Sequence, residues 1–81
     1  MPTVLRVGPY EIYFYSHETS EPPHVHVDRE RMSAKFWLEG CVLARNYGFA
    51  PKELRKIQSI VMKHQQQLSE AWHGHFGTFG G

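Results

Sequence analysis

The spacing of the apolar residues changes once along this chain, at Pro51, and that change limits the folds open to it. Between residues 10 and 39 apolar and polar residues alternate, as Val25 and Val27 do around a histidine. This is the period of a β-strand with one buried face. Over residues 54–71 the apolar residues recur at steps of three and four, which is the period of an amphipathic helix. Strands followed by a helix predict an α+β fold.

Turn residues divide the alternating part into short strands. Gly8-Pro9, the polar loop that ends in Pro22-Pro23, the charged residues 29–31 and Gly40 each interrupt the pattern. We expect a small antiparallel sheet of three to five strands with one C-terminal helix packed on one face. The expected strands are Thr3–Val7, 10–16, 24–28, 32–39 and 41–44, and the expected helix is 51–72, ending just before Gly74. Residues 1–76 are predicted to form a single α+β domain and residues 77–81 a flexible Gly-rich tail.

The composition excludes some classes of protein. Cys41 is the only cysteine of the 81 residues, so no internal disulfide can form. No basic-then-apolar leader follows Met1, and no apolar run approaches the roughly 20 residues that cross a bilayer. We therefore expect a cytoplasmic protein with no membrane partner. The net charge of +1 neither demands nor excludes a nucleic-acid partner.

The alternation also predicts what the second face of the sheet carries. If the apolar residues of each strand face the helix, the residues between them face away: Glu11, Tyr13, Tyr15, His24, His26, Ser33, Lys35 and Trp37. Large aromatics on an exposed sheet face are typical of a binding surface or an oligomer interface. The predicted binding surface is Tyr13, Tyr15, Lys35 and Trp37. Two alternatives stay open: a loop or the tail covers these residues, or a bulge near Pro23 exchanges the two faces.

Three interpretations apply to His24 and His26, which project on the same side of one strand. The pair is a candidate catalytic pair for metal-independent RNA cleavage by acid–base chemistry. With His17 it is instead a candidate metal site. The third interpretation is structural: the histidines anchor the Pro22-Pro23 turn by hydrogen bonds. We expect no cofactor, and the sequence leaves open whether the protein is an enzyme.

The outward side of the predicted helix carries a thin basic stripe, made of Lys52, Lys56, Ser59 and Lys63. Such a stripe is most often a solvated face, but it can also meet phosphate groups.

Several motifs occur together in an order that is known from one family. Phe14-Tyr15-Ser16 precedes Glu21-Pro22-Pro23-His24-Val25-His26-Val27, and these are followed by Ala34-Lys35-Phe36-Trp37-Leu38, Asn46-Tyr47-Gly48-Phe49, Glu53-Leu54 and Leu68 to Trp72. With these motifs the chain resembles the small bacterial family catalogued as domain of unknown function 4160. The resemblance covers nearly the whole chain. Ala50 departs from the Ser that the family often has before the helix proline, which weakens only the helix cap.

The resemblance implies a function in a two-gene module of toxin–antitoxin type. It implies a small protein partner encoded by the adjacent gene, with an RNA or DNA target as a further expectation. The aromatics of the second sheet face separately leave a homodimer as an expectation. The resemblance makes His24 and His26 the motif histidines and Trp72 the terminal tryptophan. We therefore expect a partner-binding protein, with a metal-independent ribonuclease and a metal-binding domain as alternatives.

Overall fold

A computed structural model describes residues 3–15 and 20–76 of the chain. They form an α+β fold with one five-stranded antiparallel sheet in the order β1-β2-β3-β4-β5. Its elements are β1 (Thr3–Val7), β2 (Tyr10–Tyr13), β3 (His24–Arg29), β4 (Met32–Trp37), β5 (Leu43–Tyr47), α1 (Pro51–Lys63) and α2 (Gln65–Phe76). The predicted antiparallel sheet is confirmed. Neither described helix is long and apolar enough to span a membrane.

The strand register places the apolar residues of neighbouring strands side by side. Ile12 pairs with Val27, and Val27 pairs with Ala34. Side chains that pair across an antiparallel sheet point to the same face, so this row forms one apolar surface. The β3–β4 hairpin closes through two residues, and the first of them, Glu30, has φ +56°. A positive φ at that position matches the right-handed twist of the strands.

The apolar surface of the sheet packs against both helices. The core residues include Ile12, Phe14, Val25, Val27, Ala34, Phe36 and Leu38 from the sheet side, and Ile57, Val61, Leu68 and Trp72 from the helices. The apolar period predicts that Phe14, Val27, Phe36, Leu54, Ile57 and Val61 are nearly fully buried together, and all of these but Leu54 are buried. Leu54 is only partly buried and packs at the margin of this core.

The helical part differs from the single helix expected over residues 51–72. The helix is interrupted at His64, which has φ −107° and ψ 16° instead of helical angles. The carbonyl of Ile60 accepts hydrogen bonds from both the backbone N–H and the Nδ1 of His64, at 3.1 and 2.9 Å. A side chain that competes for a backbone acceptor favours such a break. Helix α2 then continues through Gly74 to Phe76, beyond the expected end.

Strand β5 also lies elsewhere than expected. It runs over Leu43–Tyr47, not over 41–44, because Gly40 and Cys41 both adopt positive φ values in the preceding turn. The register shifts between Lys35 and Phe36, which marks an irregularity in the β4–β5 pairing. Because of this shift, Phe36 pairs with Leu43, and Ala44 has no partner in the β4–β5 register.

The beginning of α1 is tied to the sheet by one carboxylate. Glu53 receives two hydrogen bonds from the Arg29 guanidinium, at 2.6 and 2.9 Å, and one from the Tyr10 hydroxyl at 2.7 Å. The hydrogen bonds from Arg29, followed by the one from Tyr10, hold the pKa of Glu53 below its usual range. Ala50 provides no side-chain cap, so this cluster fixes the position of the helix start instead.

Candidate functional site

The sheet face opposite the helices, which we call the outer face, is built from three rows of paired residues. One row is Glu11, Asp28, Ser33 and Tyr47; the next is Tyr13, His26, Lys35 and Arg45; the third contains His24 and Trp37. These pairings put the expected outer residues of β2, β3 and β4 into neighbouring positions. Tyr15 follows β2 and joins them by contact with His26, at 4.9 Å between ring centroids.

The aromatic rings of the outer face form one continuous array. Tyr13 stacks on His26 with centroids 5.3 Å apart and an interplanar angle of 22°. Tyr15 meets the edge of Tyr13 at 5.5 Å. On the other side, His26 contacts His24 at 5.2 Å, and His24 contacts Trp37 at 5.9 Å. Stacked and edge-to-face pairs at these distances are favourable, so the rings hold one another in place.

Tyr13 lies under this array and does not present its ring to solvent, because it is only 4% exposed. Its hydroxyl donates to Oδ2 of Asp28 at 3.0 Å. Burial, together with the neighbouring Tyr15 hydroxyl and the Asp28 carboxylate, raises the pKa of Tyr13 far above its usual value. The hydroxyl therefore stays protonated at neutral pH and holds the array from below. Oδ1 of Asp28 is buried without a hydrogen-bond partner in the described part of the chain.

Lys35 is held over the aromatic array by two interactions. Its Nζ forms an ion pair with Oε1 of Glu21 and lies 4.7 Å from the centroid of the Trp37 ring. A cation over an indole ring is attracted by the ring quadrupole. Lys35 and Trp37 thus form one ordered unit at the centre of the outer face.

His24 occupies a different position from the one expected of a surface histidine. It is 0% exposed, and its ring lies 5.1 Å from that of Trp72, at the end of the sheet where α2 closes over it. Its Nδ1 lies 2.9 Å from the carbonyl oxygen of Pro22. Because a carbonyl oxygen only accepts, Nδ1 carries the proton of this bond. These contacts are those expected of an anchor for the Pro22-Pro23 turn.

His26 is the motif histidine that reaches the surface, since its side chain is half-buried. The structure thus brings His24 and His26 together but gives only one of them access to solvent. His17, the third residue of the metal hypothesis, lies outside the described residues. Within residues 3–15 and 20–76, no three His, Cys, Asp or Glu side chains are grouped so as to hold a metal ion.

Arg45 and Tyr47 are outer-face residues that sequence reasoning missed. The register pairs Arg45 with Lys35 and Tyr47 with Ser33, so both project from the outer face, and Tyr47 is 58% exposed. The spacing of Arg45 and Tyr47, two residues apart, is the signal that could have placed them on one face. It was obscured because the strand was expected to end at residue 44.

The exposed part of the outer face therefore combines half-buried or exposed rings with cations. The rings are Tyr15, His26, Trp37 and Tyr47, and the cations are Lys35 and Arg45. Such a surface can bind by apolar contact, by hydrogen bonding and by charge. Of the two motif histidines, only His26 is open to solvent, because His24 is fully buried.

Comparison with known proteins identifies the family to which the chain belongs. The family model described as a domain of unknown function (DUF4160) matches residues 10–73, which include strands β2 to β5 and most of both helices. No curated protein and no solved structure matches the chain. Because the match covers more than three quarters of the sequence and contains the Pro-Pro-His-x-His motif, the chain belongs to the DUF4160 family, a domain of unknown function.

Proposed function

We propose that this protein is a partner-binding component of a bacterial two-gene module of toxin–antitoxin type, and that the outer face binds the protein encoded by the adjacent gene. The observation that carries the proposal is the ordered aromatic array with Lys35 and Arg45 beside it. Residues that anchor protein interfaces are mostly aromatics and arginine, held in place before the partner arrives.

Exposed apolar side chains beside the array support a protein partner. Val42, Leu43 and Tyr47 are 53%, 38% and 58% exposed, and they lie on or next to β5. In the described part of the sheet, β5 pairs with β4 only, so its other edge has main-chain groups that a partner strand can pair with. Exposed apolar side chains and an edge strand with free main-chain groups are both typical of an interaction site.

The toxin–antitoxin setting rests on the resemblance of the sequence to its family. In that family a second small open reading frame often lies adjacent to the gene. The burial of His24 argues for binding in preference to RNA cleavage, since only His26 of the motif pair reaches solvent.

The proposal is tested by measuring the affinity of the purified protein for the product of the adjacent gene by isothermal titration calorimetry. We expect Tyr47→Ala and Trp37→Ala each to weaken binding by about 30-fold, the effect of removing an interface residue worth roughly 2 kcal/mol. Met62→Ala is the matched control, because Met62 is also 58% exposed but lies on α1. We expect it to leave the affinity unchanged.

Two results would contradict the proposal. One is an affinity for the partner that is the same for Tyr47→Ala, Trp37→Ala and Met62→Ala. The other is cleavage of RNA by the protein alone in the presence of a chelator, abolished by His26→Ala, which would establish the ribonuclease alternative. Expression of each gene alone and of both together then shows which protein arrests growth and which relieves it.

A further inference from the structure

The exposed side of α1 carries an unusual concentration of positive charge for a chain whose net charge is +1. Its cations are Lys52, Arg55, Lys56 and Lys63, and all four are exposed. None of them forms an ion pair with a carboxylate in the described part of the chain. The single acidic residue of α1, Glu53, is already bonded to Arg29 and Tyr10.

The four cations lie on one side of the helix. At 3.6 residues per turn, Arg55, Lys52, Lys63 and Lys56 fall within an arc of about 100°, with Ser59 inside it. The opposite side of the helix carries Ile57 and Val61, which are buried against the sheet. At a rise of about 1.5 Å per residue, the row from Lys52 to Lys63 extends over roughly 16 Å. We call this row the α1 basic face.

We infer that the α1 basic face binds the phosphate backbone of duplex nucleic acid, a site separate from the outer face. A straight row of cations on a rigid helix complements a regular line of phosphates, and lysine and arginine supply most protein–phosphate contacts. The α1 basic face favours duplex over single-stranded nucleic acid, because it has no aromatic side chain on which an unpaired base could stack.

The composition of the α1 basic face argues against two other anionic partners. A protein interface is anchored by aromatic or apolar residues and is depleted in lysine, whereas the only exposed large hydrophobic of α1 is Met62. A membrane surface requires an apolar helix side that can insert between lipids. The apolar side of α1 is buried under the sheet, so it is not free to insert.

The test is fluorescence anisotropy of a labelled DNA duplex of about 20 base pairs, a length that exceeds that of the α1 basic face. We expect binding at about 50 mM salt that weakens steeply with salt, with a slope of about −3 to −4 in log affinity against log salt concentration, since each contacted phosphate contributes about −0.9. The same protein should bind the unpaired strand less steeply and should not bind vesicles of anionic phospholipid.

The deciding comparison uses two variants with the same change in net charge. Lys56→Glu with Lys63→Glu should weaken duplex binding by at least about tenfold and reduce the salt slope by about 2. Arg31→Glu with Arg45→Glu, at two other exposed cations without an ion-pair partner in the described chain, should weaken it by less than about threefold. Far-ultraviolet circular dichroism checks that both variants remain folded, and Lys56→Gln with Lys63→Gln replaces the charge reversal if they do not.

Equal weakening by both variants would overturn the inference, because net charge alone would then explain binding. Absence of duplex binding at low salt, or binding to the vesicles but not to the duplex, would also overturn it. Tyr47→Ala separates this site from the proposed protein-binding surface: it should leave duplex binding unchanged whether or not a protein partner binds the outer face.

Discussion

His24→Ala tests whether the first histidine of the motif anchors the fold or serves the surface. The substitution removes a fully buried ring that contacts His26, Trp37 and Trp72 and that donates a hydrogen bond to the Pro22 carbonyl. The change therefore leaves a cavity between the sheet end and α2, and it leaves the carbonyl without its donor. Both consequences destabilise the folded state.

The expected cost follows from the two losses. Truncating a large buried side chain to Ala costs about 2–5 kcal/mol, and a lost hydrogen bond adds about 1 kcal/mol. The imidazole is smaller and more polar than a phenyl ring, so we expect about 2–4 kcal/mol for His24→Ala. For a domain of this size, each kcal/mol lowers the melting temperature by about 4–8 °C. His24→Asn should cost less, because its amide nitrogen can take the place of Nδ1 as the donor to Pro22.

His26→Ala is the matched control, since it removes the same kind of ring from the half-exposed neighbour. We expect it to cost about 1 kcal/mol or less by urea unfolding, while His24→Ala costs two to four times as much. Equal and small costs for both variants would refute the view that His24 is a structural anchor. If His24→Ala then also abolished RNA cleavage or partner binding at unchanged stability, His24 would have to act at the surface.

Three further predictions concern the fold. Phe36→Ala should cost about 3–5 kcal/mol by urea unfolding, because Phe36 is the largest fully buried side chain; melting within a few degrees of the parent would contradict the described core. The pKa of Glu53 is lowered by folding, so its contribution is complete above its unfolded value of about 4.3 and is lost as the pH falls through its folded value. Glu53→Gln should therefore be less stable than the parent at pH 7, and the difference should vanish in acid titrations followed by circular dichroism. Gly48→Ala should lower the melting temperature more than Gly8→Ala, because φ is +107° at Gly48 but +56°, in the left-handed region, at Gly8, and because only at Gly48 would the new Cβ meet Met32, at 2.8 Å; equal shifts would contradict both reasons.

The sheet was predictable because a strand places alternate residues on opposite faces. Val25 and Val27 alternate with His24 and His26, so the sequence assigns each residue to one side of β3. That rule does not say what covers a side chain. Trp72, which closes over His24, comes from a helix far along the chain, and no local pattern indicates that contact.

The position of the helical part along the chain was predicted, but its division into two helices was not. The apolar period continues across His64, so it gives no sign of the break between α1 and α2. At the break, Nδ1 of His64 lies 2.9 Å from the Ile60 carbonyl oxygen, and the sequence does not specify that contact. Arg45 and Tyr47 were missed for a related reason, because two positive φ values in the preceding turn decide where β5 begins.

The central claim, that the outer face binds the product of the adjacent gene, is tested most directly by NMR. Amide chemical shifts of the labelled protein are mapped while the unlabelled partner is added. The predicted result is that the shifts of Lys35, Trp37, Arg45 and their neighbours in β3, β4 and β5 change, and that those of α1 do not. Changes confined to α1, or no change at saturating concentrations of the partner, would contradict the claim.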